Sequence, residues 1–153
     1  MHKHKAETRW RWGRPISTLI MALCILYSLI MIKLLFIRGS YGWPTYNYNV
    51  IPLHTIKSLI YNREHYNTDA WVKNLFGNIV LFIPIGVFLP AMNRKLLRTA
   101  RFLPVTVLIL FLVESIQLVT KVGSFDIDDI ILNTLGALIG FAVMKGAAPL
   151  LTR

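Results

Sequence analysis

An all-α membrane protein, a four-transmembrane-helix bundle with both termini in the cytoplasm (N-in/C-in), is the fold class this sequence predicts. Three observations predict it. Apolar residues make up 55% of the 153-residue chain and charged residues 16%, with a mean hydropathy of +0.54, whereas soluble domains carry about a quarter charged residues. The apolar residues gather into four stretches, each near the roughly 20 residues that cross a hydrocarbon core. Lysines and arginines crowd the ends of those stretches, so the net charge of +10 is read as membrane topology and attraction to anionic lipid headgroups, with no nucleic acid partner expected.

A basic amino-terminal segment over residues 1–15, holding Lys3, Lys5, Arg9, Arg11 and Arg14, is expected in the cytoplasm. The first span, about 16–37, exceeds the about 7–15 apolar residues of a signal-peptide core, so it is read as a retained anchor. Its Cys24 is the single cysteine, which leaves no disulfide or cysteine metal site within one chain. Residues 38–74 are too polar to span and carry the turn formers Gly39, Gly42, Pro44 and Pro52. They predict an external loop with a short interfacial helix around Leu53 to Tyr61. Further spans follow at about 75–92, 102–119 and 130–151, closing a transmembrane domain over 16–151.

Orientation comes from the Lys/Arg bias of the short loops. Residues 93–101 carry Arg94, Lys95, Arg98 and Arg101 with no acid, and are placed inside. Residues 120–129 set Lys121 against Asp126, Asp128 and Asp129, and are placed outside.

With that orientation the intramembrane polar residues of separate helices fall at similar depth, near the external face. Asn78 lies one turn inside Asn74 on the second span. Glu114 and Gln117 share a face in the outer half of the third. Asp126, Asp129 and Asn133 have the i, i+3, i+7 spacing of one face if the fourth helix begins early, and Lys33 sits near the outer end of the first. A carboxylate such as Glu114 costs several kcal/mol in hydrocarbon and is expected to face the bundle with a partner, for which Lys33 and Asn78 are the candidates. Lys33 can equally snorkel to the headgroups, and the pair can equally be structural glue.

The acidic run GSFDIDD from Gly123 can offer oxygen ligands to a hard cation or simply complement a helix amino terminus; it lacks the pattern of an EF-hand. His54 and His65 have no ligand-like spacing. Pro84 and Gly86 interrupt the second span and predict a kink. Gly136 and Gly140 form a small-xxx-small face that serves either packing within the chain or a homo-oligomer. No GxSxG, Walker or HExxH motif is present. Ser115 beside Glu114 has no histidine at its depth, so it makes no triad.

The stretches NVIPLHT from Asn49, NLFGNIVLFIPIGVFLP from Asn74, ESIQ from Glu114 and FDIDDIILNTLGALIG from Phe125 resemble the VanZ-like family, named for a small membrane protein associated with teicoplanin resistance. The resemblance picks out Asn49 and Pro52, Asn78, Phe82, Pro84 and Gly86, Glu114 and Gln117, and Asp126, Asp129, Asn133, Gly136 and Gly140. It implies a multi-pass protein of the bacterial plasma membrane with a cell-envelope role and names no settled reaction, cofactor or metal. Three functions stay open. A polar pocket of Asn49, Asn78, Glu114, Gln117, Asp126, Asp129, Asn133 and Lys33 can bind or modify a lipid-linked component: a membrane lipid, a cell-wall precursor or a lipoglycopeptide. A membrane enzyme can use Glu114 as general base with Asp126 or Asp129 holding a metal. A proton- or ion-coupled transporter can use Glu114 and Lys33 as a relay.

Overall fold

The computed structural model describes residues 13–37 and 44–151. The head residues 1–12, together with Arg38, Gly39 and Gly42, lie outside the described residues. Four helices are long and apolar enough to cross a membrane: Arg14–Ile37, Thr68–Met92, Thr99–Thr120 and Ile127–Pro149.

The first is helix α1 (Arg14–Ile32), with Pro15 in the first turn where its missing N–H costs nothing, extended by a π-helical turn Lys33–Ile37. The loop that follows contains a two-residue strand β1 (Tyr48–Asn49) and helix α2 (His54–Tyr61). The second span begins earlier than its apolar run: α3 (Thr68–Val72), a π-helical turn Lys73–Gly77 and α4 (Asn78–Met92) form one continuous helix. Asn67 starts it by accepting the Asp69 N–H at 2.8 Å, a local cap that hydropathy does not register. Then come α5 (Thr99–Thr120), strand β2 (Phe125–Asp126) and α6 (Ile127–Leu151). The strands pair in parallel, Tyr48 opposite Phe125 and Asn49 opposite Asp126. That short ladder is the one departure from an all-helical reading among the described residues, and it ties the loop to the start of α6.

Helices α4 and α6 approach most closely, because three glycines remove the side chains between them. A Cβ on Gly86 would overlap the Ala137 carbonyl, one on Gly136 the Ile79 carbonyl, and one on Gly140 the Ile83 carbonyl. The Gly136/Gly140 face is therefore filled by α4 of the same chain. Helix α5 lays Phe102, Thr106, Leu110 and Glu114 against this pair, one buried residue per turn. Phe102 stacks on Phe141 with centroids 4.3 Å apart, and Leu110 packs with Met31, Phe82 and Ile130.

Helix α1 is peripheral, with Met31 its buried residue. Beside the packing of Tyr27 on Phe88 and of Met31 with Phe82, polar and sulfur contacts join it to the other spans. Tyr27 Oη donates to the Leu81 carbonyl at 2.8 Å, Gln117 Nε2 donates to the Leu35 carbonyl at 3.0 Å, and Cys24 Sγ lies 3.6 Å from Met92 Sδ. Between these contacts α1 stands off α4 and α5 and leaves an apolar groove of about 280 Å³.

Candidate functional site

Four carboxylates and their partners converge where β1, α2, β2 and the ends of α4, α5 and α6 meet. The site divides into groups whose hydrogen-bonding capacity is used within the chain and groups that keep some of it.

Asp126 and Asp128 belong to the first kind. Asp126 precedes α6 and caps it, accepting the Asp128 N–H on Oδ1 at 2.9 Å. The same Oδ1 receives Asn49 Nδ2 at 3.0 Å, and Oδ2 receives Thr55 Oγ1 at 2.6 Å. Asn49 Nδ2 also lies 3.1 Å from Thr55 Oγ1, and its Oδ1 accepts the Ile51 N–H at 3.0 Å. Asp128 is fully buried. Its Oδ1 accepts the Leu53 N–H at 2.5 Å and its Oδ2 the Ile56 N–H at 3.1 Å. Leu53 is the N-cap residue of α2, held at φ 64° with a side chain that cannot cap. A carboxylate from α6 therefore caps α2, where the free N–H groups and the helix dipole both favour negative charge.

Glu114 and Asp129 belong to the second kind. Glu114, 4% exposed, receives the Asp126 N–H on Oε2 at 3.3 Å. Asp129 receives Asn78 Nδ2 on Oδ1 at 2.6 Å. Among the described residues Glu114 Oε1 and Asp129 Oδ2 accept no hydrogen bond, and no cation pairs with either group. The two carboxylates belong to one cluster, Glu114 through the Asp126 N–H and Asp129 three residues further on in the first turn of α6. Such an arrangement accepts hydrogen bonds from hydroxyl, amide or ammonium groups, which would also relieve the repulsion between them.

The remaining sequence-predicted residues are distributed less simply. Gln117 sits at the rim, its side chain given to Leu35 and its carbonyl 3.4 Å from the Gly123 N–H. Asn133 is buried at 3% exposure in the bundle, and its Oδ1 has no partner among the described residues. Lys33 is exposed and forms no ion pair with Glu114 among the described residues, which corrects the expected partnership and leaves the Lys33–Glu114 relay without its contact. Asn78 pairs with Asp129 and not with Glu114. The expected single face of Asp126, Asp129 and Asn133 is also corrected, because Asp126 lies on β2 and turns toward the loop while Asp129 turns toward α4. Asp126 spends both oxygens on intramolecular donors, and among the described residues no three His, Cys, Asp or Glu side chains are placed to hold one metal ion, so the donor set does not fit a metal held by Asp126 and Asp129.

Thr55 and Asp128 are the functional-site members that sequence reasoning missed. Asp128 resembles an ordinary first-turn acid, and its partners lie 75 and 72 residues earlier in the chain. A signal was present: α2 begins P-L-H-T with no capping side chain in the cap position, so its cap had to come from elsewhere.

A multi-pass membrane protein of four helical spans, with a hydrogen-bonded carboxylate and amide site closed by an ordered loop, is the class these features define. The chain belongs to the VanZ/LLP1 family, whose model matches residues 23–151. It is 28% identical over 93 residues to Protein VanZ of Enterococcus faecium, an alignment that covers 61% of this chain and 57% of that protein. The chain thus matches little more than half the length of that relative. No solved structure matches it.

Proposed function

We propose that this protein binds a lipid-linked component of the bacterial cell envelope through Glu114 and Asp129, in the plasma membrane, with both termini cytoplasmic and the polar site on the external side. The observation that carries the reading is the split among the carboxylates: Asp126 and Asp128 are consumed in building the site, whereas Glu114 and Asp129 each keep an oxygen that accepts no hydrogen bond among the described residues. Intramembrane ionisable groups that are not consumed by structure are expected to serve function. Headgroups rich in hydroxyl, amide or ammonium donors, as in a cell-wall precursor or a lipoglycopeptide, suit two such acceptors. Membership of the VanZ/LLP1 family supports lowered susceptibility to lipoglycopeptides such as teicoplanin as the phenotype to measure.

The test is teicoplanin susceptibility in cells expressing the wild-type chain, Glu114→Gln or Asp129→Asn at matched membrane levels. The isosteric variants keep the volume and one acceptor but lose the charge, so susceptibility should return to that of cells without the protein. Full protection by both variants at equal abundance would overturn the reading. Glu114 Oε1, which accepts no hydrogen bond among the described residues, also favours a second function, general-base catalysis on a lipid-linked substrate. Turnover of such a substrate by purified protein, lost in Glu114→Gln while binding persists, would select catalysis over binding.

A further inference from the structure

We infer that the groove between α1, α4 and α5 holds a single hydrocarbon chain, the tail of an amphiphile whose headgroup reaches the Glu114 and Asp129 carboxylates. The inference rests on the preceding reading for the headgroup and on separate observations for the tail.

The groove is walled by Tyr27, Met31 and Leu35 of α1 and its π turn, floored by Phe82 and Ile85 of α4, and closed on the far side by Ile109 of α5. It runs from Leu35 to Cys24 along the first span, about 16 Å at 1.5 Å per residue, which is roughly half of a 30 Å hydrocarbon core. Its head lies at the depth of the polar site. Val113 lines the groove and Glu114 follows it in sequence, and Gln117, one turn beyond Val113, makes the bond to Leu35 that bridges α5 and α1 at that end. Its other end is closed by the contact of Cys24 with Met92. An amphiphile lying in this recess therefore has its polar end at the depth of the carboxylates.

Size decides the occupant. A helix of a second copy is about 10–12 Å across and does not enter a recess of about 280 Å³. An empty recess forfeits the dispersion contacts of its lining. The surrounding solvent is hydrocarbon, in which helices gain nothing from an apolar driving force and associate by packing alone. A chain drawn from the membrane restores those contacts, and a narrow slot admits one chain where the outer lipid-facing surfaces admit any.

The experiment uses the full chain in phosphatidylglycerol vesicles containing a trace of phosphatidylethanolamine with a diazirine midway along one acyl chain. The ethanolamine ammonium supplies the donors that two carboxylates accept. After irradiation, adducts are mapped by mass spectrometry. Ile85, Leu89 and Ile109 should carry several-fold more adduct than Leu29, Leu108 and Leu112, which are exposed on outer surfaces. An even spread over lipid-facing residues would overturn the groove, and that outcome needs no variant. Ile109→Trp fills the slot and should abolish the excess at Ile85 and Leu89 while adducts at Leu108 persist; an undiminished excess again overturns it. Glu114→Gln separates the two readings: groove adducts that fall in this variant join tail to headgroup, whereas groove adducts that persist unchanged keep the chain-binding slot and remove the headgroup from Glu114.

Discussion

Asp128 shows how much a single side chain decides here. It is buried without a cationic partner among the described residues, yet it accepts two backbone N–H groups of a helix that starts 74 residues before it, so its desolvation is offset by charge-assisted bonds and the dipole of α2. Asp128→Ala should strip both acceptors and leave two N–H groups unmade, at about 1–3 kcal/mol each. Thermal unfolding in detergent should register a large fall, with Asp128→Asn intermediate because one acceptor oxygen remains. An unchanged melting temperature for Asp128→Ala would show that the loop is held by something else. Lys121 gives a second residue-scale prediction of opposite sign. It closes α5 at φ 58°, a left-handed conformation that costs a side-chain residue about 1–2 kcal/mol, and the Gly123 N–H completes the turn on the Gln117 carbonyl. Lys121→Gly should stabilise the protein by up to about 1 kcal/mol, less what is lost from the Lys121 contact with the Tyr46 ring. The same melting assay reads it.

Among elements, the α4–α6 pair is the rigid part and α1 the loosely held one. Glycine is required at 86, 136 and 140 because backbone occupies the place of each Cβ. Gly140→Ala should therefore cost about 1–3 kcal/mol by overpacking, whereas Gly146→Ala, where nothing lies within 4 Å, should be neutral or slightly stabilising. Equal effects at the two positions would refute the close approach. Pro84 sits in the same span, and three residues before it the Leu81 carbonyl takes the Tyr27 hydroxyl. Pro84, where the sequence predicts a kink, thus lies within one turn of the point at which α1 is tied to α4. Tyr27→Phe removes only that bond and should loosen α1, read as faster hydrogen exchange along Leu23–Leu34 with the α4–α6 interface unchanged.

For the whole molecule, the decisive relation is between the loop and the start of α6. The Asn49–Asp126 pair, in register across the ladder, places the loop beside the start of α6. Asn49→Cys with Asp126→Cys in a Cys24→Ser background should form a disulfide, since adjacent strands lie about 4.8 Å apart. An impermeant maleimide should reach position 49 from outside intact cells; labelling from the cytoplasmic side alone would reverse the proposed orientation. The number of spans was legible in the sequence because hydropathy and length are local properties that lipid enforces on each segment independently. The list of polar residues near one end was legible too, since a buried polar group in a span is rare enough to stand out. Their partners were not legible. Lys33, a candidate partner for Glu114, turns outward, Asn78 belongs to Asp129, and Asp128, which looked like a surface acid, holds the loop. Composition, spacing and helical period say which residues share depth and face. Helix rotation, the parallel pairing of β1 with β2 and the carboxylate cap on α2 depend on contacts between segments 70 or more residues apart, and these the tertiary structure alone decided, because each is a choice among competing donors and acceptors that only packing brings within reach.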